Sequence, residues 1–380
     1  MVTVWTAGKI FRYLKLPVLF GELLAGVIAG PLILGYVHDS STLQVLSELG
    51  IFFLMLHSGL ETDHKELLHA SKKSLLIALG GVLAPFVAGY YTTLSFGYSV
   101  NESLFMGMGL SITAIAVAAK IFKDLRLTKT RFSHVVMGAA LIDDILALIL
   151  LSVILNIAST GSVEWSSLAL LIFKVVAFFG ITIFLGERFH KQLHKIIYKG
   201  NKGFTFTLII ALFFGLLAEY MGLHIIIGAF LAGLFVRQEV IEERLFKKIE
   251  DRIYGISYSF LGPIFFATLG FSLDITAMKT IPIFVIAIIA VATLGKVFGA
   301  GLMAYFTRLS LHESIGVGFA MNSRGAVELI IASIGLKAGI IDGDLFSVLI
   351  IMAFATTFIS ILAIKPLAKH LRKNTVKDAV

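Results

Sequence analysis

The 380-residue chain contains no cysteine, which excludes disulfides and thiolate metal sites. Charge is scarce too: 15% of residues are charged against 58% hydrophobic, with a mean hydropathy of +0.94, whereas soluble domains carry about 25% charged residues. That balance excludes a soluble globular protein and leaves a polytopic, all-α membrane protein. The apolar opening MVTVWTAGKI lacks a basic start and a small-residue cleavage site, so it is not a convincing secretory signal. No His/Glu metal spacing or Ser nucleophile elbow argues for an enzyme, and no TVGYG-type carbonyl filter argues for a channel.

What is present is a series of apolar runs near the ~20 residues that cross a bilayer. They fall at about 17–37, 41–60, 73–95, 102–122, 132–157, 165–186, 203–220, 222–238, 253–272, 280–306, 313–336 and 345–368. These are twelve predicted helices, and residues 1–10 read as the inner end of a thirteenth. The net charge of +8 is a topology signal. Of the 32 Lys and Arg, 27 fall in one alternating set of connections and termini, and only Lys279 and Lys337 in the other. The positive-inside rule places the basic loops and the C-terminus in the cytoplasm of a cell-membrane protein, with no nucleic-acid partner implied.

Three stretches recur in order. GELLAG (21–26) resembles GAFLAG (228–233), FFLMLHSGLE (52–61) resembles FFATLGFSLD (265–274), and ESLFMGMGLS (102–111) resembles ESIGVGFAMN (313–322). The offsets of 207, 213 and 211 place the first span opposite the eighth, an odd number of crossings apart. This predicts two five-helix repeats of inverted orientation, the architecture of secondary transporters, whose substrate sites lie at the midplane among discontinuous helices.

Few ionisable residues fall inside the spans. Asp143 and Asp144 sit together in LIDDILALILL, although a carboxylate at the centre of a membrane helix costs roughly 2.5–3.5 kcal/mol on insertion scales. The bland alternative is that each holds a basic residue in a structural contact. Adjacent helical positions do not face each other, so one can face a cavity and the other a partner helix. Lys296, in ATLGKVFGAG, is the cation placed to be that partner, among glycines that permit close helix approach. Lys174 is less clear, and His57 and His224 read as satisfied polar residues near helix ends. In the fourth and eleventh spans, Ser111 and Thr113, and Asn322 and Ser323, put helix-capping residue types at mid-membrane, and Gly325 permits a break. Two crossing, broken helices are one reading. Continuous helices with hydroxyls bonded to their own carbonyls are the other. Arg324 and Glu328, four apart, are expected to pair with each other or with Glu22 in a structural or gating role.

At these residues the sequence resembles the monovalent cation:proton antiporter-2 family, the Kef-type and bacterial sodium/proton exchangers. The stretches that carry the likeness are LPVLFGELLAGVIAGP, GAALIDDILALILLS, GAFLAGLFV, FFATLGFSL and NSRGAVELIIA. The resemblance implies thirteen helices and a homodimer. Dimerisation helices are expected in 1–100 and 203–272, and ion-transport core helices in 101–190 and 280–370. It further implies that Asp144 is the ion-binding carboxylate and that Asp143 pairs with Lys296. Two acids at this position accompany electrogenic exchange. A nucleotide-regulated cytoplasmic domain is not expected, nor is any cofactor.

Physically, Na⁺ in a low-dielectric site needs oxygen ligands and a compensating charge. Asp144 supplies both, with Ser111, Thr113, carbonyls or water completing the shell, and a proton competes for the same carboxylate. Na⁺ that draws Asp143 away frees Lys296 to lose a second proton. K⁺ or Li⁺ in place of Na⁺, and a Na⁺-coupled symporter of an organic solute, remain the rival expectations.

Overall fold

The computed structural model describes residues 1–14, 16–61, 72–128, 130–160, 173–174, 177, 180, 203–239, 243–273 and 277–371. Among these there is no β-strand. Eight helices are long and apolar enough to cross a membrane, nine if one bent pair counts as a single span, and the shorter apolar helices Val18–Ala29 and Ile225–Arg237 add to them. The expected span at 165–186 lies almost wholly outside the described residues.

The chain clusters into two compact units, Met1–Lys65 with Ser162–Phe271, and Glu66–Gly161 with Ser272–Val380. The first holds α1 (Val2–Tyr13), α2 (Val18–Ala29), α3 (Ser41–Glu61), α8 (Gly203–Tyr220), α9 (Ile225–Glu239) and α10 (Glu243–Ile256). A five-residue π-helical turn, Ser257–Leu261, then leads into α11 (Gly262–Phe271). Two close pairings organise it. A Cβ on Gly26 of α2 would sit 1.9 Å from the Ala267 carbonyl oxygen of α11, and one on Gly59 of α3 1.9 Å from that of Phe230 in α9. Only glycine permits such approach.

The second unit holds α4 (Lys72–Ser95), α5 (Val100–Ser111), α6 (Ile115–Asp124), α7 (Arg131–Thr160), α12 (Ala277–Thr280), α13 (Pro282–Phe306), α14 (Leu311–Met321), α15 (Ala326–Lys337) and α16 (Gly343–Leu371). Here α4 and α13 meet through Gly80 and Gly299, each lying against the other's carbonyl. Thus α4, inside the segment 1–100, packs with α13 of the segment 280–370. Pro282 opens α13 at its first turn, where its missing N–H costs nothing.

Two spans in this unit are interrupted. Residues 112–114 between α5 and α6 leave the helical conformation, with Ile112 at φ −73°, ψ 146°. Residues 322–325 separate α14 from α15, and the two halves bend by 42°.

Candidate functional site

Each break leaves orphan carbonyls at one helix end and orphan N–H groups at the next, and in a membrane these must be satisfied within the protein. The two breaks satisfy each other. The Ala114 N–H donates to the Ser323 carbonyl at 2.8 Å. Thr113 Oγ1 donates to the Met321 carbonyl, the last of α14, at 2.8 Å. In return Arg324 donates to the carbonyls of Gly109 (3.1 Å), Leu110 and Ile112 at the end of α5. Thr113 to Arg324 and Leu110 to Met321 are both steps of 211 residues. The same bond thus recurs at the repeat offset, made by a hydroxyl on one side and a guanidinium on the other. The sign suits the task, because the C-terminal end of a helix is negative and favours a cation.

Lys296 enters this arrangement from α13. Its Nζ donates to Thr113 Oγ1 at 2.7 Å and to Asp143 Oδ1 at 3.2 Å. Lys296, Asp143 and Thr113 are all fully buried. Gly81 of α4 lies alongside the ammonium, where a Cβ would stand at an ordinary contact distance of 3.8 Å from Nζ. An unpaired ammonium at such a site would cost several kcal/mol, so the Asp143 carboxylate and the Thr113 oxygen together make its burial tolerable.

Asp144 follows Asp143 on α7 and is also buried, at 4% exposure. Its side chain leaves the helix about 100° round from that of its neighbour. Ser111 turns back onto its own helix, donating to the Met108 carbonyl at 2.7 Å. Asn322 donates from Nδ2 to the Thr356 carbonyl at 3.4 Å, while its buried Oδ1 accepts no hydrogen bond from a described residue. Ser323 donates to the Ala320 carbonyl at 2.8 Å. Arg324 Nε and Glu328 Oε2 stand 3.7 Å apart, both buried. The structure thus brings Thr113, Asp143 and Lys296 into direct contact, with Arg324, Glu328, Asn322 and Ser323 in or beside the second break. Glu22 is not among them. It belongs to the first unit, buried on α2, 3.7 Å from where a Cβ of Gly8 on α1 would lie.

Two contributors escape the sequence reading. Thr357 of α16 accepts the Arg324 N–H at 2.8 Å and donates to the Arg324 carbonyl at 3.2 Å, so one hydroxyl closes the backbone of the break. Thr356 supplies the carbonyl that holds Asn322. The signal available in the sequence is only a Thr-Thr pair in FATTFIS. Lys174 has a plainer role: its Nζ donates to the Met221 carbonyl at 3.2 Å, just past the end of α8.

The chain that carries this cluster of buried carboxylates and cations is similar to known proteins. The Na⁺/H⁺-K⁺ antiporter GerN of Bacillus cereus is 34% identical over 357 residues, covering 93% of this chain and 90% of GerN. A Na⁺/H⁺ antiporter of Enterococcus hirae is 31% identical over 378 residues, covering 98% and 97%. The fold is shared with the sodium proton antiporter MjNhaP1 of Methanocaldococcus jannaschii, with a TM-score of 0.75 at 19% identity over 99% of this chain and 96% of that one. The family described as "Sodium/hydrogen exchanger, transmembrane" matches residues 1–370, and the chain belongs to it.

Proposed function

We propose that this chain is a secondary antiporter that exchanges Na⁺ for protons across a cell membrane, with Asp144 as the carboxylate over which the two compete. The observation that carries the reading is the fully buried Lys296–Asp143–Thr113 contact where the two broken helices cross. Three carboxylates, Asp143, Asp144 and Glu328, and two cations, Lys296 and Arg324, are each buried in the same unit. With all five ionised the cluster carries −1, and a low-dielectric interior favours neutralising it. One Na⁺ or one proton does so, and each excludes the other. That is exchange.

Oxygen ligands for Na⁺ come from Asp144, from the unpartnered Asn322 Oδ1, and from Ser111 and Thr113 after rotation of their hydroxyls. Sodium beside Asp144 weakens the hold of Asp143 on Lys296, and the ammonium then releases a second proton. Two protons per Na⁺ move one net charge, so a membrane potential contributes about 2.3 kcal/mol per 100 mV. Alternating access follows from movement of the site-bearing helices relative to the rest of the chain, in a homodimer whose basic loops and C-terminus face the cytoplasm. The recurrence of the cross-break bond at 211 residues supports two inverted repeats. Exchange of this kind serves pH homeostasis. GerN is a Na⁺/H⁺-K⁺ antiporter, which makes K⁺ the second cation to test.

The test is proton flux in proteoliposomes under an imposed pH gradient, with Na⁺, K⁺ or Li⁺ added separately. Cation-triggered proton movement is expected for the wild type and is lost in Asp144→Asn. Proton movement absent with every cation, or solute uptake driven by Na⁺ without protons, overturns the reading.

A further inference from the structure

Glu328 is the buried carboxylate to which the exchange cycle gives no step. It lies in the first turn of α15 at 1% exposure, and neither oxygen accepts a hydrogen bond from a described residue. The cation beside it is Arg324, whose Nε stands 3.7 Å from Oε2, beyond hydrogen-bond reach, and itself has no acceptor. The remaining guanidinium nitrogens are engaged by the carbonyls of Gly109, Leu110 and Ile112. A carboxylate that anchors a fold is tied by hydrogen bonds, as buried polar groups normally are. One that acts through its field needs none.

The charged groups around Glu328 are those of the ion site. Arg324 of the break stands beside it, Lys296 of α13 acts on it through space, and Asp143 on α7 is bonded in turn to Lys296. The helices packed against α15 are chiefly α16 and α5. Their ionisable residues, Glu102 on α5 and Asp344, Lys365, Lys369 and His370 on α16, lie within two turns of the helix ends. No other described charge on these helices shares the depth of Glu328.

Resting on the exchange reading, we propose that Glu328 is the counter-charge that sets the cation demand of the site: when ionised, its negative charge makes the buried cluster one positive charge short. It touches neither Na⁺ nor the exchanged proton, and acts on Asp144 and Lys296 through space. Neutralising it leaves the ionised cluster at zero, so that a bound cation brings an excess positive charge. Sodium and protons both become less welcome.

The experiment measures Na⁺-driven proton flux in proteoliposomes across pH for wild type, Glu328→Gln and Glu328→Asp. For Glu328→Gln the apparent KM for Na⁺ at the alkaline limit rises about tenfold while the acid limb of the profile moves about one pH unit lower. Glu328→Asp retains the charge, and with it the KM and the profile. A Glu328→Gln protein with unchanged KM and profile overturns the proposal, and so does a raised KM with an unmoved acid limb, which marks lost packing. If Glu328→Gln does not fold, Glu328→Asp decides: wild-type behaviour upholds the counter-charge and altered behaviour overturns it. Wild-type vesicles that show no cation-driven proton movement defeat the exchange reading itself, a result separable from all of these.

Discussion

The two interrupted spans begin alike and end differently. Both open with a serine capping box. Ser99 accepts from the Glu102 N–H at 3.3 Å and Ser310 from the Glu313 N–H at 3.3 Å, and each glutamate reaches back to its serine N–H, at 2.7 and 2.9 Å. At the far ends the symmetry of chemistry stops. The carbonyls of α5 receive a full positive charge directly from Arg324, whereas the Met321 carbonyl of α14 receives a neutral Thr113 hydroxyl, with the Lys296 charge one bond further back. The difference separates two tasks. A guanidinium stays charged at any working pH and makes a permanent brace, while an ammonium reached through a hydroxyl can lose its proton without unfastening the helix end.

The largest break in this comparison comes from removing the brace. Arg324→Met leaves two carbonyls of α5 and that of Ile112 just past it without this donor, and Glu328 buried without the cation beside it. Losing one partner of a buried pair costs roughly 3–5 kcal/mol, so thermal unfolding in detergent should fall steeply and exchange should be lost. A variant that keeps its unfolding temperature and its flux would show that the guanidinium does not hold the end of α5.

Much of this arrangement is legible in the sequence, and the illegible parts share a cause. Continuous apolar runs place α3 at Ser41–Glu61 against an expected 41–60, and α13 at Pro282–Phe306 against 280–306. The run at 17–37 is misleading, because the helix within it stops at Ala29. Gly30 stands before Pro31, and a residue preceding proline is steered away from the helical region. The run at 253–272 hides an earlier start, since α10 begins at Glu243, with Arg244, Lys247, Lys248, Asp251 and Arg252 exposed and Phe246, Ile249 and Ile253 buried. At the buried contact beside the breaks, scarcity of charge is enough to single out Asp143 and Lys296. Thr357 is not recoverable in the same way. Its neighbour Thr356 bonds back to the Met352 carbonyl at 2.8 Å, as threonines in continuous helices do, whereas Thr357 closes a backbone break more than thirty positions away in the chain. Hydroxyls that serve their own helix and hydroxyls that serve another read identically in sequence.

A middle-sized effect is expected at the neutral cap. Thr113→Val removes the hydroxyl that stands between Lys296 and the Met321 carbonyl, leaving that carbonyl without its donor at a cost of roughly 1–3 kcal/mol. Exchange should persist at a reduced rate with an altered pH dependence, because the ammonium loses one of its two described partners. Thr113→Ser, which keeps the hydroxyl, should restore both. The comparison fails if Thr113→Val is as damaging to stability as Arg324→Met, since the two caps would then be equivalent in kind.

The smallest effects should fall where the two spans are alike. Ser99→Ala and Ser310→Ala each remove a capping oxygen from a helix start remote from the breaks, and such caps are worth about 1 kcal/mol. The two losses should match each other in thermal unfolding, and neither should alter the KM for Na⁺ or the pH profile. Equal and functionally silent losses locate the asymmetry of the site entirely in its inner ends. A change in Na⁺ affinity from Ser310→Ala alone would instead mean that α14 transmits the state of its outer end to Asn322, and the capping boxes would belong to the mechanism.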